Sequence, residues 1–422
     1  MTSETVPLSE YCTVRKGLSY KGEYIHQEGP ALLGIGTINE GGGFRSENIR
    51  TYGGPYKKEN ILKPGDVYMA LTNMAELNSK FLGSTARVPA NFPSIGIATH
   101  HVWKVLWKTE DNTMRDFLYW LMRSDSFLTH CSYFGVGTTV YATHGKDVER
   151  FEVPKELSFN QITMTRILNL VSEMEGYLQS SLDLLECKIQ TLFHSWFIDF
   201  NPVKAKAEGK LPYRMDEETA ALFPDSFEDS VLGPIPAGWS VVTIHDLASQ
   251  RRDIVNPDEL TTDVPYIGLE HMPRHSIALS EWEGCEGLQS NKFRFNTGDV
   301  LFGRLRPYFH KVGPAPVDGV CSTEILVLEP ILDVDREFLL SIVSGEHFVN
   351  YVSGVSEGVG LPRTKWSHFN LYKLALPPVE IREKFSELMG PLLNIIHESI
   401  HQSRTLTESR DALLPRLMSG EL

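Results

Sequence analysis

The sequence predicts an α+β protein: two similar α+β modules separated by two long antiparallel coiled-coil helices. Three observations carry this reading. "LKPGDVYMA" at residues 62–70 and "FNTGDVLFG" at 295–303 share Gly-Asp-Val. Four further pairs of stretches match in the same order: "ALLGIGTINEGG" with "VPYIGLEHMPRH", "SIGIATHHVWKVLW" with "DGVCSTEILVLEP", "MRDFLYWLMRSDSFLTHCSYFGVGTT" with "DREFLLSIVSGEHFVNYVSGVSEGVG", and "DVERFEVP" with "FNLYKLALP". Each match is weak, but their common order marks an internal duplication. After each copy comes a run of apolar residues spaced three and four apart.

Within each copy, short β-type segments at 67–71 and 102–107, or 300–302 and 325–328, are separated by Gly/Pro/Asn turns. One helix near 117–128, or 338–351, follows. The Gly-Asp pair reads as a turn that launches a strand, with no catalytic role for Asp66 or Asp299. The first long helix is expected over about 162–196, with Val171, Leu178, Leu182, Leu185, Ile189, Leu192 and Trp196 as its seam. The second is expected over about 382–414, with Phe385, Met389, Leu392, Ile396, Leu406, Leu413 and Leu417 as its seam and Ser399, Ser403 and Arg410 interrupting it. Helices of about 35 residues span roughly 50 Å and expose a stripe that needs a partner. Pro415 is expected to end or kink the second near Leu414. The Pro- and acid-rich stretch between the first helix and the second module reads as an irregular connector.

At 422 residues, with 41% hydrophobic and 22% charged, the chain exceeds one ordinary core. The N-terminus lacks the basic start and apolar run of a secretory signal, and no run of about 18 apolar residues occurs, so no membrane association and a cytoplasmic location are expected. Five scattered cysteines without C-x-x-C support neither a disulfide framework nor a zinc finger. The net charge of -14 argues at first against a polyanionic partner. Its distribution softens that: residues 1–155 hold 17 basic and 16 acidic residues, and the second module still clusters bases in "GRLRPYFHK".

Enzymatic motifs are missing from the sequence. There is no phosphate-binding G-x-x-x-x-G-K-[ST], no G-x-S-x-G, no H-E-x-x-H and no Asn/Asp-Pro-Pro-aromatic motif of an amino-methyltransferase; "LALPPVE" supplies the prolines without the Asn or Asp. His100 and His101 are adjacent, and on a strand they would face opposite sides, so no metal is assigned to them. Loops mixing bases, aromatics and glycine suggest a nucleic-acid surface. In the first module these supply Arg45, Arg50, Lys57, Lys58, Thr138, Thr139, His144 and Lys146, beside Tyr52, Tyr56 and Tyr141. In the second they supply Arg304, Arg306, Lys311, Arg363, Thr364 and Lys365, beside Tyr308, His310 and Trp366. Arginine matches phosphate and guanine edges, and Thr reaches phosphates or base edges. Taken singly, each reads as well as a solvated loop residue.

The pattern resembles the specificity (S) subunit of type I restriction-modification systems, over nearly the whole chain. "LALPPVEIREKF" with "RDALLPRLMSGEL", the central "TLFHSWFIDFNPV", and "GPIPAGW" opening the second module carry the resemblance; the first module lacks the Pro-x-Gly-Trp. The resemblance implies target recognition domain 1 over 1–157, a central spacer helix over 158–200, a linker over 201–230, target recognition domain 2 over 231–378 and a C-terminal helix over 379–422. It implies that each domain reads one half of a bipartite target in double-stranded DNA while the helices set the spacer. Two methyltransferase (M) subunits and restriction/motor (R) subunits are the implied partners. The chain itself would be non-catalytic, with S-adenosylmethionine, ATP and Mg belonging to those partners. The competing reading from charge and helices alone is an acidic coiled-coil scaffold whose modules bind proteins.

Overall fold

Gly65 and Gly298 both adopt a positive φ, 86° and 84°, a conformation open to glycine at little cost. At each, the following aspartate carboxylate accepts the backbone N–H three residues earlier, Lys63 or Asn296, at 2.8 Å. The aspartate N–H returns to the same residue's carbonyl at 2.9 or 3.0 Å, and Val88 or Ala315 exchanges two further backbone bonds with the Gly-Asp pair. Four bonds therefore recur in both copies, and the repeated tripeptide is one turn built twice.

The computed structural model describes residues 4–46, 49–74, 81–93, 95–137, 140–358 and 360–419. They fall into two compact units, Met1–Gly176 with Leu406–Leu422, and Tyr177–Thr405.

In the first unit an antiparallel sheet runs in the order Cys12–Lys16, Val102–Trp107, Val67–Ala70, Thr85–Arg87. A second sheet orders Arg50–Thr51, Ala31–Leu33, Gly96–Ala98 and Ile61–Leu62, with the middle pair parallel. The second unit repeats both. Its first sheet is Ala248–Arg251, Ile325–Pro330, Val300–Gly303, Val312–Pro314; its second contains the parallel pair Pro265–Ile267 and Gly319–Cys321. The strand after the Gly-Asp turn is buried on both faces, which is why it reads as an unbroken apolar run and not an alternating one. Val67 and Met69 pack against the helical side while Tyr68 and Ala70 pack toward the second sheet. Val300 and Phe302 against Leu301 divide in the same way.

Where one helix was expected per module, the structure has two: Asn112–Leu121 with Asp125–Tyr133, and Arg336–Val343 with Glu346–Gly354. The break in the first module is a capping event, because Ser124 is extended and its hydroxyl accepts Phe127 N–H. In the second, Gly345 takes the same extended N-cap conformation.

The long helices run Phe159–Phe193 and Val379–Ser419. In the second unit Leu182, Ile189, Phe193 and Trp196 share a core with Phe385, Met389, Ile396 and Ile400. In the first unit Met164 and Leu168 share one with Leu417. Of the expected interruptions, Ser399 is buried in the seam, and Arg410 donates to Glu175 at 2.9 Å. Pro415 does not end its helix. It is exposed, and Leu417 beyond it is fully buried in the first module's core, so anchoring outweighs the single backbone bond a proline forfeits.

The expected irregular connector contains helices Asn201–Ala207 and Glu217–Leu222 and a hairpin of Phe227–Ser230 with Gly233–Pro236. The "HSWFI", "GPIPAGW" and "VEIREKF" stretches pack together in this second unit. "HSWFI" forms a π-helical turn closed by Phe200 at φ 53°. Trp196 and Phe197 bury against Phe223, Phe338 and Phe385, and Trp239 of "GPIPAGW" packs edge-on to Phe200. Arg382 of "VEIREKF" makes a buried ion pair with Asp335 and donates to the Pro377 carbonyl at 3.2 Å. No helix among the described residues is long and apolar enough to cross a membrane.

Candidate nucleic-acid interface

Two loops of the second module are tied into one surface by their backbones. Arg306 N–H donates to Pro362 O at 2.7 Å and Thr364 N–H to Arg304 O at 2.9 Å, while Leu305 and Arg363 form an antiparallel bridge. Arg304, Arg306, Arg363 and Lys365 are thereby brought together. The first module has the same frame: Thr72–Met74 pairs with Val140–Ala142, and Thr143 N–H donates to Leu71 O at 3.0 Å. Thr143 and Thr364 thus occupy one structural position, and both are buried.

The candidates differ in what already holds them. Arg363 Nε lies 3.0 and 3.1 Å from the two Glu324 oxygens, and Lys365 Nζ lies 2.6 Å from Glu357. The Lys365 pair is exposed and the Arg363 pair half-exposed, so either cation is exchangeable for a phosphate at modest cost. Arg304 and Arg306 each have a buried Nε without a hydrogen-bond partner; Arg306 also donates to Gly360 O at 3.2 Å. Two residues are corrected from contact to scaffold. Thr364 has no exposed surface, its hydroxyl lying 3.4 Å from His368 Nδ1. Lys311 is half-buried and spends its ammonium on the Leu269 carbonyl.

In the first module Arg45, Arg50, Lys57 and Lys58 are exposed. Arg50 lies on the strand paired with Leu32, and Lys57 is 3.9 Å from Glu59. His144 and Lys146 are exposed at the short helix Gly145–Val148, on a different element. Thr138 and Thr139 lie outside the described residues.

Asp66 and Asp299 are held as the turn requires, each also facing a cation: Lys104 at 2.5 Å and Arg251 at 3.6 Å. The expectation that His100 and His101 diverge fails. They sit in a turn, not a strand, and their rings approach to 3.8 Å between centroids. Burial lowers both pKa values, aided by Lys16 at His100 and by His100 and Lys16 at His101. Among the described residues one group has metal-ligating composition, Glu270, His271 and Glu283. Gly268 N–H donates to His271 Nδ1 at 3.0 Å. The neutral ring then carries its proton on Nε2, the nitrogen 3.9 Å from Glu283, which suits donation and not ligation.

One cation beside this surface has no counterpart among the sequence candidates. Arg274 lies over the Phe309 ring at 3.9 Å. Its signal was faint: a single arginine in "HMPRHS", a stretch noticed only as a repeat match.

Comparison with known proteins bears on this architecture. Residues 236–405 match the family model of the type I restriction modification DNA specificity domain. The type I restriction enzyme MjaIX specificity subunit of Methanocaldococcus jannaschii is 22% identical over 321 residues, covering 74% of this chain and 70% of that protein. The EcoDI specificity subunit of Escherichia coli is 23% identical over 343 residues, covering 77% and 72%. The chain is similar to type I restriction-modification specificity subunits, and its residues 236–405 match that family's DNA specificity domain. A crystal structure of an S subunit from M. genitalium shares its fold across 99% of this chain and 96% of that one, at TM-score 0.58 and 13% identity. The "HSWFI", "GPIPAGW" and "VEIREKF" stretches supply the aromatic and ion-paired contacts that join the long helices to the second module's core, while Leu413, Leu414 and Leu417 of "RDALLPRL" pack in the first module's core.

Proposed function

We propose that each module of this specificity subunit reads one half of a bipartite target in double-stranded DNA, and that the long helices set the unread spacer between the halves. The observation that carries this is the duplication itself: the same two sheets, the same Gly-Asp turn and the same loop frame occur twice in a chain similar to this family. Two similar readers suit a target in two parts. The loop cations are the residues assigned to contact: Arg304, Arg306, Arg363 and Lys365 in one module, Arg45, Arg50, Lys57, Lys58, His144 and Lys146 in the other. The specificity-subunit assignment supports a chain without catalysis of its own. Methylation and cleavage then belong to two methyltransferase subunits and to restriction/motor subunits, which would bring S-adenosylmethionine, ATP and Mg. The acidic-scaffold alternative is not favoured by the family.

Methylome sequencing of cells with and without this chain tests the reading. A split motif methylated only in its presence is expected. Exchange of residues 1–157 for another subunit's module should then change one half of the motif. A change in both halves, or in neither, would overturn the assignment of one module to one half.

A further inference from the structure

We propose that Arg274 and Arg306, gathered about the Phe309 ring, form a two-guanidinium clamp for a single DNA backbone phosphate; this rests on the DNA-reading function above. The Arg274 guanidinium carbon lies 3.9 Å from the ring centroid and that of Arg306 lies 5.8 Å from it, both within reach of the ring's negative face. Neither forms an ion pair with a carboxylate among the described residues, whereas neighbouring Arg363 and Lys365 do. Two positive groups sharing one aromatic ring repel each other, and an anion between them removes that repulsion. Arg274, stacked on the ring, keeps its donor edge for a phosphate's oxygens, while Arg306 gives one Nη2 proton to Gly360 O at 3.2 Å and has its others to offer.

The backbone gives a second, independent indication. Arg306, His310 and His275 all take left-handed conformations, with φ of 49°, 52° and 56°. None is glycine, and side chains adopt this region only where the surroundings hold them. His275 N–H donates to His310 O at 3.0 Å, and Ser276 bridges Lys311, which fastens the two loops together and sets Arg274 beside Phe309. Glu186 secures the Arg274 loop from below, accepting from Ser276 Oγ at 2.7 Å and Ala278 N–H at 3.2 Å.

A phosphate contact weakens binding to every sequence alike and lowers the salt dependence, so the probe is a fluorescent random-sequence DNA duplex titrated against the assembled complex with its methyltransferase subunits. The double variant Arg274→Ala/Arg306→Ala is expected to reduce the slope of log affinity against log salt by about one, the contribution of one phosphate, and each single variant to lose affinity with a smaller change in slope. Arg274→Lys should keep the slope while losing affinity, since the charge stays and the fork goes. Phe309→Leu should lose affinity with both charges in place. Arg336→Ala, whose guanidinium pairs with Asp333 at 3.4 Å, should match wild type. Unchanged slope for the double variant, with an unchanged thermal midpoint, overturns the clamp, as does unchanged affinity for Arg274→Ala. Relaxed specificity at one base position with the slope retained also overturns it, because that is a base contact. A wild-type complex that binds no duplex would remove the DNA reading and the clamp together.

Discussion

Glu175 and Arg410 face each other across the two long helices, Nη1 to Oε1 at 2.9 Å, with both side chains less than one-fifth exposed. Thr407 Oγ1 donates to the same Glu175 oxygen at 3.0 Å. The arginine that interrupts the second helix's apolar seam is therefore accommodated by a polar link to the first. Removing either partner alone leaves a largely buried charge, so Arg410→Met should cost about 2 kcal/mol, below the full cost of a wholly buried pair. The double variant Glu175→Leu/Arg410→Met should recover most of that loss. Denaturant midpoints of both variants check this, and equal losses would show that the pair is not coupled.

Arg382 and Asp335 present the same arrangement with less water. Arg382→Ala strands the buried Asp335 carboxylate, for which burial already favours the protonated form. A loss of about 3–5 kcal/mol is expected. A change below about 1 kcal/mol in chemical unfolding would mean that solvent reaches Asp335 freely.

Glu186 gives a pH dependence with a definite sign. Burial raises its carboxyl above the ordinary 4.5, against the lowering effect of bonds from Ser276, Ile277 and Ala278. The unfolded chain releases this proton first. As pH rises from the ordinary carboxylate range through the raised native value, the native state loses stability, and beyond that the loss stays constant. Glu186→Gln removes this titration. Its thermal midpoint relative to wild type should climb as pH goes from about 4 to 7, and a pH-independent difference would refute the assignment.

The duplicated turn predicts duplicated costs. Gly65→Ala places a side chain at φ 86°, where nothing lies within 4 Å of the new carbon, so the backbone conformation alone costs about 1–2 kcal/mol. Gly298→Ala meets the flexible end of Arg336 at 2.5 Å and should cost about as much, since that end can move. Unfolding measurements on the two variants should agree; a neutral effect at either site would show that its turn relaxes.

The duplication and the long helices were legible in the sequence because they rest on local signals: a turn that needs glycine, strands buried on both faces, apolar residues three and four apart. What escaped reading depends on contacts distant along the chain. Thr364 looks like a polar loop residue until Arg304's carbonyl claims its N–H and the fold closes over it. Lys311 carries a charge that the Leu269 carbonyl absorbs. Pro415 is a helix breaker by rule, yet Leu417's burial carries the helix past it. Arg274 became visible only through Phe309, a neighbour supplied by another loop.

The two loops of the second module are fastened by main-chain bonds from Arg304, Arg306 and Thr364 and by the carboxylates of Glu324 and Glu357. Closure therefore depends little on the side chains at positions 304 and 306. A lineage can substitute those side chains without rebuilding the loops that carry them. Substitutions at these positions then leave the main-chain closure of the loops in place.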